Sequence, residues 1–334
     1  MRFKTVWLVV LLVESMFYGC NSKPVVLTGD ELIHINRFDS ALFVWIDSDD
    51  SVALKKVEND YPQMFDILGK ALFETRSEDA SVFYDNLINY YSEPTLKALY
   101  RDAVTRFSAD SAAFVGIRNE LSFGFMQMKR LFASMQIPDV YLHVSGLQQN
   151  VIVADNLISC SIDKYMGADY PLYRDFFYDY QRKNMNPERV AKDCLNVWLK
   201  SEFPYKGKNN VLLDRMIYEG KIIYLLTQTG YDYNYQNLTS QTDKEYEWLL
   251  DYEKTLWTTI IERKHLYTPD MATTSKYFQP SPSTFISNEA PGNPGYFIGY
   301  RIVEKYMKKT KSSCEELMKN GDAQDILKKS EYKP

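Results

Sequence analysis

From residue 51 to 132, apolar side chains recur three and four positions apart, as in Leu87, Tyr90 and Tyr91 and again in Leu96, Leu99 and Tyr100. That period predicts helices with one buried face. Pro94, just after Ser92, divides the run into two helices. A stripe of Phe114, Ile117, Leu121, Phe125, Met128 and Phe132 predicts one long amphipathic helix over 110–132. Ahead of this run, Leu32 to Ile35 reads as a short strand, and Asp39 or Ser40 as the cap of a following helix.

After residue 138 the period changes. Val140, Leu142 and Val144 alternate with Tyr141 and His143, which predicts a strand, and Val151 to Val153 reads as a second one. Helices are expected to resume near Asp155. Asn186 and Pro187 open a helix through Leu199, Leu212 to Thr227 forms a more apolar helix, and Thr242 to Arg263 a third. Residues 268–295 carry five prolines and read as loop, with 280–294 as a contact surface. A final helix is expected from Gly295 to Lys308, its C-terminus favoured by Lys305, Lys308 and Lys309. The expected fold class is α+β, mainly helical, with a small β-sheet among many helices in one domain over 31–334.

Composition narrows the function. The 334 residues are 45% hydrophobic, enough for a substantial core, and the net charge of −5 argues against nucleic acid, which wants a basic face. No GxSxG turn, P-loop or Gly-rich dinucleotide turn occurs, so no cofactor is expected. The first twenty residues, MRFKTVWLVVLLVESMFYGC, place basic Arg2 and Lys4 before an apolar run too short to span a bilayer. Phe17-Tyr18-Gly19-Cys20 then resembles a lipobox. The expectation is a signal peptide over 1–19, acylation (palmitate) at Cys20 and a tether over 20–30, holding the domain to a membrane by lipid. Once Cys20 is acylated, Cys160, Cys194 and Cys314 remain, an odd number that allows at most one disulfide and whose spacings suit no metal site, and they read as buried small hydrophobes.

Other candidate chemistry is thin. Asp47, Asp49 and Asp50 cluster as Ca²⁺ ligands would, or as a helix cap. Glu262, His265 and Asp270 are the one grouping with acid–base potential, though a capping or surface histidine explains them as well. Asp39-Ser40-Ala41, Asp50-Ser51-Val52 and Asp110-Ser111-Ala112 match a short O-glycosylation pattern of exported Bacteroidetes proteins.

Several stretches together resemble the gliding motility lipoprotein GldB family of Bacteroidetes. They are Ile35-Asn36-Arg37-Phe38-Asp39, Leu213 through Lys221 (LDRMIYEGK), Glu289 through Gly295 (EAPGNPG), Ile298 through Val303 (IGYRIV) and the tail from Asp322. The resemblance implies a cell-envelope lipoprotein, at the outer membrane facing the periplasm, that assembles or stabilises gliding- or secretion-related membrane proteins.

The family is also distantly similar to HExxH zinc peptidases, which implies a degenerate zincin-like architecture. Two histidines four apart must face one zinc, with a glutamate between them as base. Here Lys192 and Asn196 would occupy the histidine slots, Asp193 the base slot and Glu219 the third-ligand slot. No HExxH exists, and a Lys192–Glu219 ion pair is expected to replace the metal's charge. The leading expectation is therefore a non-catalytic pseudo-peptidase without metal. The alternatives are a hydrolase with a divergent site, or a glycan- or peptide-binding lipoprotein using its tyrosines.

Overall fold

The computed structural model describes residues 27, 29–48, 50–73 and 80–334. The leader, Cys20, most of the tether and Asp49 lie outside them. Among the described residues, no helix is long and apolar enough to cross a membrane.

The chain is mainly helical around one small sheet, as the periodicity predicts. The N-terminal helices are α1 (Phe38–Ser48), α2 (Ser51–Asp60), α3 (Pro62–Leu72), α4 (Ala80–Tyr91), α5 (Pro94–Arg106) and α6 (Ala112–Leu131). Two short helices, α7 (Tyr173–Phe176) and α8 (Asp179–Arg182), precede α9 (Val190–Glu202) and α10 (Leu212–Thr227). Then come α11 (Tyr235–Thr239), α12 (Asp243–Asp251), α13 (Glu253–Glu262), α14 (Met271–Lys276), α15 (Pro294–Thr310), α16 (Cys314–Lys319) and α17 (Ala323–Ser330).

The strands are β1 (Ile35–Asn36), β2 (Asp139–His143), β3 (Val151–Ala154) and β4 (Leu157–Ser161), in spatial order β1-β2-β4-β3. β2 runs parallel to β1 and β4, with Val140 opposite Ile35 and Ile158, while β3 returns antiparallel on β4. Helix α1 packs against β2, and α9 against β3 and β4.

Several expectations need correction. Residues 157–161 form a strand rather than a helix: Asp155 turns the chain in a left-handed conformation (φ 39°), which Asp tolerates. Neither Asp39 nor Ser40 caps α1. Asp39 is fully buried within its first turn and ion-pairs with Arg37 at 2.7 Å. Asn186 does not cap α9 either, because its amide bonds Ala168 and Lys183 instead.

The 242–263 helix is two helices, bent at Tyr252, whose ring stacks on Trp248. The proline-rich stretch contains α14. Its end is core rather than surface: Ala290, Pro291, Gly292, Pro294 and Gly295 are buried, while Pro280, Pro282, Thr284, Asn288 and Glu289 stay exposed. There, Ser283 N–H donates to Ala290, Asn293 N–H to Gln279 and Gly295 N–H to Tyr277. Helix α15 is not the last, since Ser313 and Asp322 cap two more short helices.

Helix α10 organises the C-terminal half and crosses α15 at glycine on glycine. A Cβ on Gly299 would lie 1.8 Å from the Met216 carbonyl oxygen, and one on Gly220 would lie 2.3 Å from the Gly299 carbonyl. Backbone meets backbone here, so neither position has room for a side chain. This crossing accounts for the glycines in both the Leu213–Lys221 and the Ile298–Val303 stretches.

Candidate functional site

Helix α9 buries Val190, Ala191, Cys194, Leu195, Trp198 and Leu199. Its other stripe, four residues apart, is Lys192, Asn196 and Lys200. These three line a cleft of about 170 Å³ together with Glu219 and Ile223 of α10. Arg189 also lines it, as do Asn293 and Tyr296 from the start of α15. The fold thus brings Lys192, Asn196 and Glu219 to one cleft. Asp193 stands apart. It accepts from Arg189 at 2.6 Å and from the Tyr165 hydroxyl at 3.0 Å, tying α9 to the segment after β4.

The expected ion pair is wired differently. Glu219 pairs with Lys200 at 2.8 Å, one helical turn beyond Asn196. Lys192 instead lies 4.0 Å from Glu120 of α6 and 5.5 Å from the centre of the Tyr233 ring. The Tyr233 hydroxyl donates to the same Glu120 at 2.6 Å. Lys200 completes the i, i+4, i+8 row and was readable from the sequence as a third member of the stripe. The contributions of Tyr233 and Glu120 were not, because they come from distant segments. Burial and the nearby Glu219 carboxylate push the Tyr296 phenol above its ordinary pKa, so it stays protonated at neutral pH.

The donor set does not fit zinc. Zinc needs imidazole, thiolate or carboxylate ligands. This cleft offers the cations Arg189, Lys192 and Lys200, amide side chains and one carboxylate already held by Lys200. Among the described residues, no three His, Cys, Asp or Glu side chains group to hold a metal ion. The cleft is also smaller than the roughly 300–1,000 Å³ of small-molecule sites. It has room for a protruding polar side chain, which Lys192, Asn196 and Asn184 can meet.

The remaining candidates disperse. Asp47 pairs with Arg101 at 3.1 Å, and Asp50 caps α2, so these two do not form a cation site together. His265 bonds the Tyr277 hydroxyl at 2.8 Å, while Asp270 caps α14. Ser111 caps α6 and the Ser40 hydroxyl accepts from Arg37, so both are engaged in local structure. Cys160 and Cys194 are buried free thiols that meet between β4 and α9, and Cys314 is a partly buried free thiol. His143 is fully buried, and burial lowers its pKa to about 3, so it is neutral.

A larger concavity lies where β2 ends. Its volume is about 710 Å³, and its walls include Leu96 and Leu99 of α5, Leu147, and Leu172, Phe176 and Phe177 around α7. The loop over it hangs from buried Asp163, whose carboxylate accepts from Ser145 N–H at 3.2 Å and Leu147 N–H at 2.6 Å. Leu147 is held left-handed (φ 67°), a conformation that costs a branched residue energy and persists only where the surroundings impose it. The Tyr90 hydroxyl pins the same loop by donating to Ser145 O at 2.7 Å. Phe176 stands 64% exposed at the groove edge, so one large apolar side chain faces water there. A sequence reading missed this groove because its walls come from three separated segments.

One family profile, described as Gliding motility protein GldB, matches residues 20–334, nearly the whole chain. No curated protein and no solved structure matches.

Proposed function

From membership of the gliding motility protein GldB family, to which this chain belongs, we propose a lipid-anchored envelope protein that works by binding other envelope proteins and not by hydrolysis. The lipid is attached at Cys20, where the family match begins. The domain sits at the outer membrane, facing the periplasm.

One observation carries the non-catalytic reading. The cleft of Lys192, Asn196 and Glu219 has its one carboxylate, Glu219, neutralised by Lys200 at 2.8 Å. A hydrolase needs a base free to take a proton from water, and a metal or oxyanion site beside it. Lys192 and Asn196 supply neither. The Asp193 carboxylate is engaged by Arg189 and Tyr165. The exposed apolar groove beside Phe176 offers a surface on which a binding protein can act.

The test is a mixed peptide library incubated with the purified full-length protein, with and without added Zn²⁺. No cleavage dependent on Glu219 is expected. Turnover by the wild type that Glu219→Gln abolishes would establish the hydrolase reading instead.

A further inference from the structure

The opposite face of α10 lines a second cleft, of about 330 Å³. Asp214, Ile217, Tyr218 and Lys221 recur along this face at helical spacing. The loop after α9 supplies Phe203 and Tyr205, and the α16–α17 connection closes the other side.

Lys221 lies in the wall of this cleft and is only 7% exposed. Its ammonium carries three donors, yet among the described residues its one hydrogen bond is to the neutral carbonyl of Asn320 at 2.5 Å. Among the described residues, no carboxylate lies within ion-pair distance of it. A buried cation is costly without a counter-charge. Burial alone lowers the Lys221 pKa to about 8. The other ionisable groups lining the cleft are Glu202, Lys206, Asp214, Lys319 and the phenols of Tyr205 and Tyr218. Asp214 already accepts from Asn209 N–H at 2.8 Å, and Lys319 is paired with Glu315 at 2.7 Å. Burial raises the pKa of both phenols, so they present neutral aromatic faces.

We propose that this cleft binds a carboxylate carried on a single aromatic or apolar residue-sized body. Lys221 is the counter-charge, and Tyr205 and Tyr218 pack against the body. The fold provides a charge lacking a counter-charge among the described residues, a space beside it at the small end of ligand-pocket volumes, and aromatic walls. The carboxylate is that of a free small acid or of a polypeptide C-terminus. The inference is independent of the binding function proposed above.

The probe is N-acetyl-phenylalanine, titrated by calorimetry into the full-length protein, with its amide as the uncharged control. Binding at pH 7 is expected for the acid and not for the amide. Binding should weaken roughly 30-fold at pH 9.5, because an amine titrating near pH 8 has then lost its charge. A surface lysine, with its ordinary pKa of about 10.4, would show little loss over that range. Lys221→Met should abolish binding, while Lys206→Met at the rim should preserve the pH dependence. A peptide ending in phenylalanine that binds tighter than the small acid assigns the site to a C-terminus, and equal binding assigns it to a small acid.

The proposal is overturned if the acid does not bind at millimolar concentration. It is also overturned if binding is unchanged at pH 9.5, or if folded Lys221→Met binds as well as wild type. Should that variant not fold, the pH dependence of the wild type decides.

Discussion

Replacing Gly299 by alanine adds one methyl group at the place where α10 and α15 touch. The new Cβ would sit 1.8 Å from the Met216 carbonyl oxygen and 2.6 Å from its carbonyl carbon. Ordinary contact begins near 3.4 Å, so the helices must part by about 1.5 Å. The obstacle is backbone, which cannot swing aside as a side chain can. Overpacking costs about 1–3 kcal/mol where neighbours relax, and a rigid backbone contact belongs at or above the upper end, about 3–4 kcal/mol. Alanine's better helix propensity returns under about 1 kcal/mol of that. For a domain of this size the net loss lowers the melting temperature by about 3–5 °C. Gly116, at the start of the second turn of α6, is the control, because a Cβ there meets nothing within 4 Å. Gly116→Ala should gain about 0.5–1 kcal/mol. The assay is thermal unfolding by circular dichroism on both variants. If Gly299→Ala melts within 2 °C of wild type, or Gly116→Ala loses as much as Gly299→Ala, the close-approach argument fails.

Three further predictions rest on separate residues. His143 is buried with its pKa lowered to about 3, so between the unfolded value of 6.5 and that point the unfolded chain binds the extra proton. Wild-type stability should therefore fall from pH 6.5 to 4 by about 3 kcal/mol more than that of His143→Gln, measured by urea unfolding at each pH; parallel curves would contradict the assignment. The Ser111 hydroxyl caps α6 by accepting from Phe114 N–H at 3.1 Å, so Ser111→Ala should cost about 1 kcal/mol in the same assay. A thiol reagent should modify Cys160 only on unfolding, because burial excludes reagent and raises the thiol pKa; fast labelling of native protein would place that sulfur elsewhere.

Much of the helical framework was legible because its signals are local. Helix α10 matches its expected bounds, Leu212 to Thr227, from a run of apolar residues. Pro94 opens α5, as its fixed φ and missing N–H dictate. Strand β4 was misread because Leu157 to Ser161 are buried throughout, so no alternation marks them. The last two helices are short; their caps announce them, and in the final one Ala323, Ile326 and Ser330 also share a buried face that the sequence reading passed over.

At the site, spacing on α9 placed Lys192 and Asn196 on one face, but it could not choose between Lys192 and Lys200 as the partner of Glu219. That choice depends on how α10 lies across α9. Lys221 was visible as a residue of a family-like stretch, yet its isolation from carboxylates exists only in three dimensions.

The measurement that bears most directly on the binding function is affinity purification of the full-length protein from crosslinked native membranes, beside Phe176→Asp and Lys206→Met. The account predicts a defined envelope protein in stoichiometric amount, lost with Phe176→Asp at the apolar groove and retained with Lys206→Met. A wild-type protein that emerges alone, or a partner indifferent to Phe176→Asp, would contradict it.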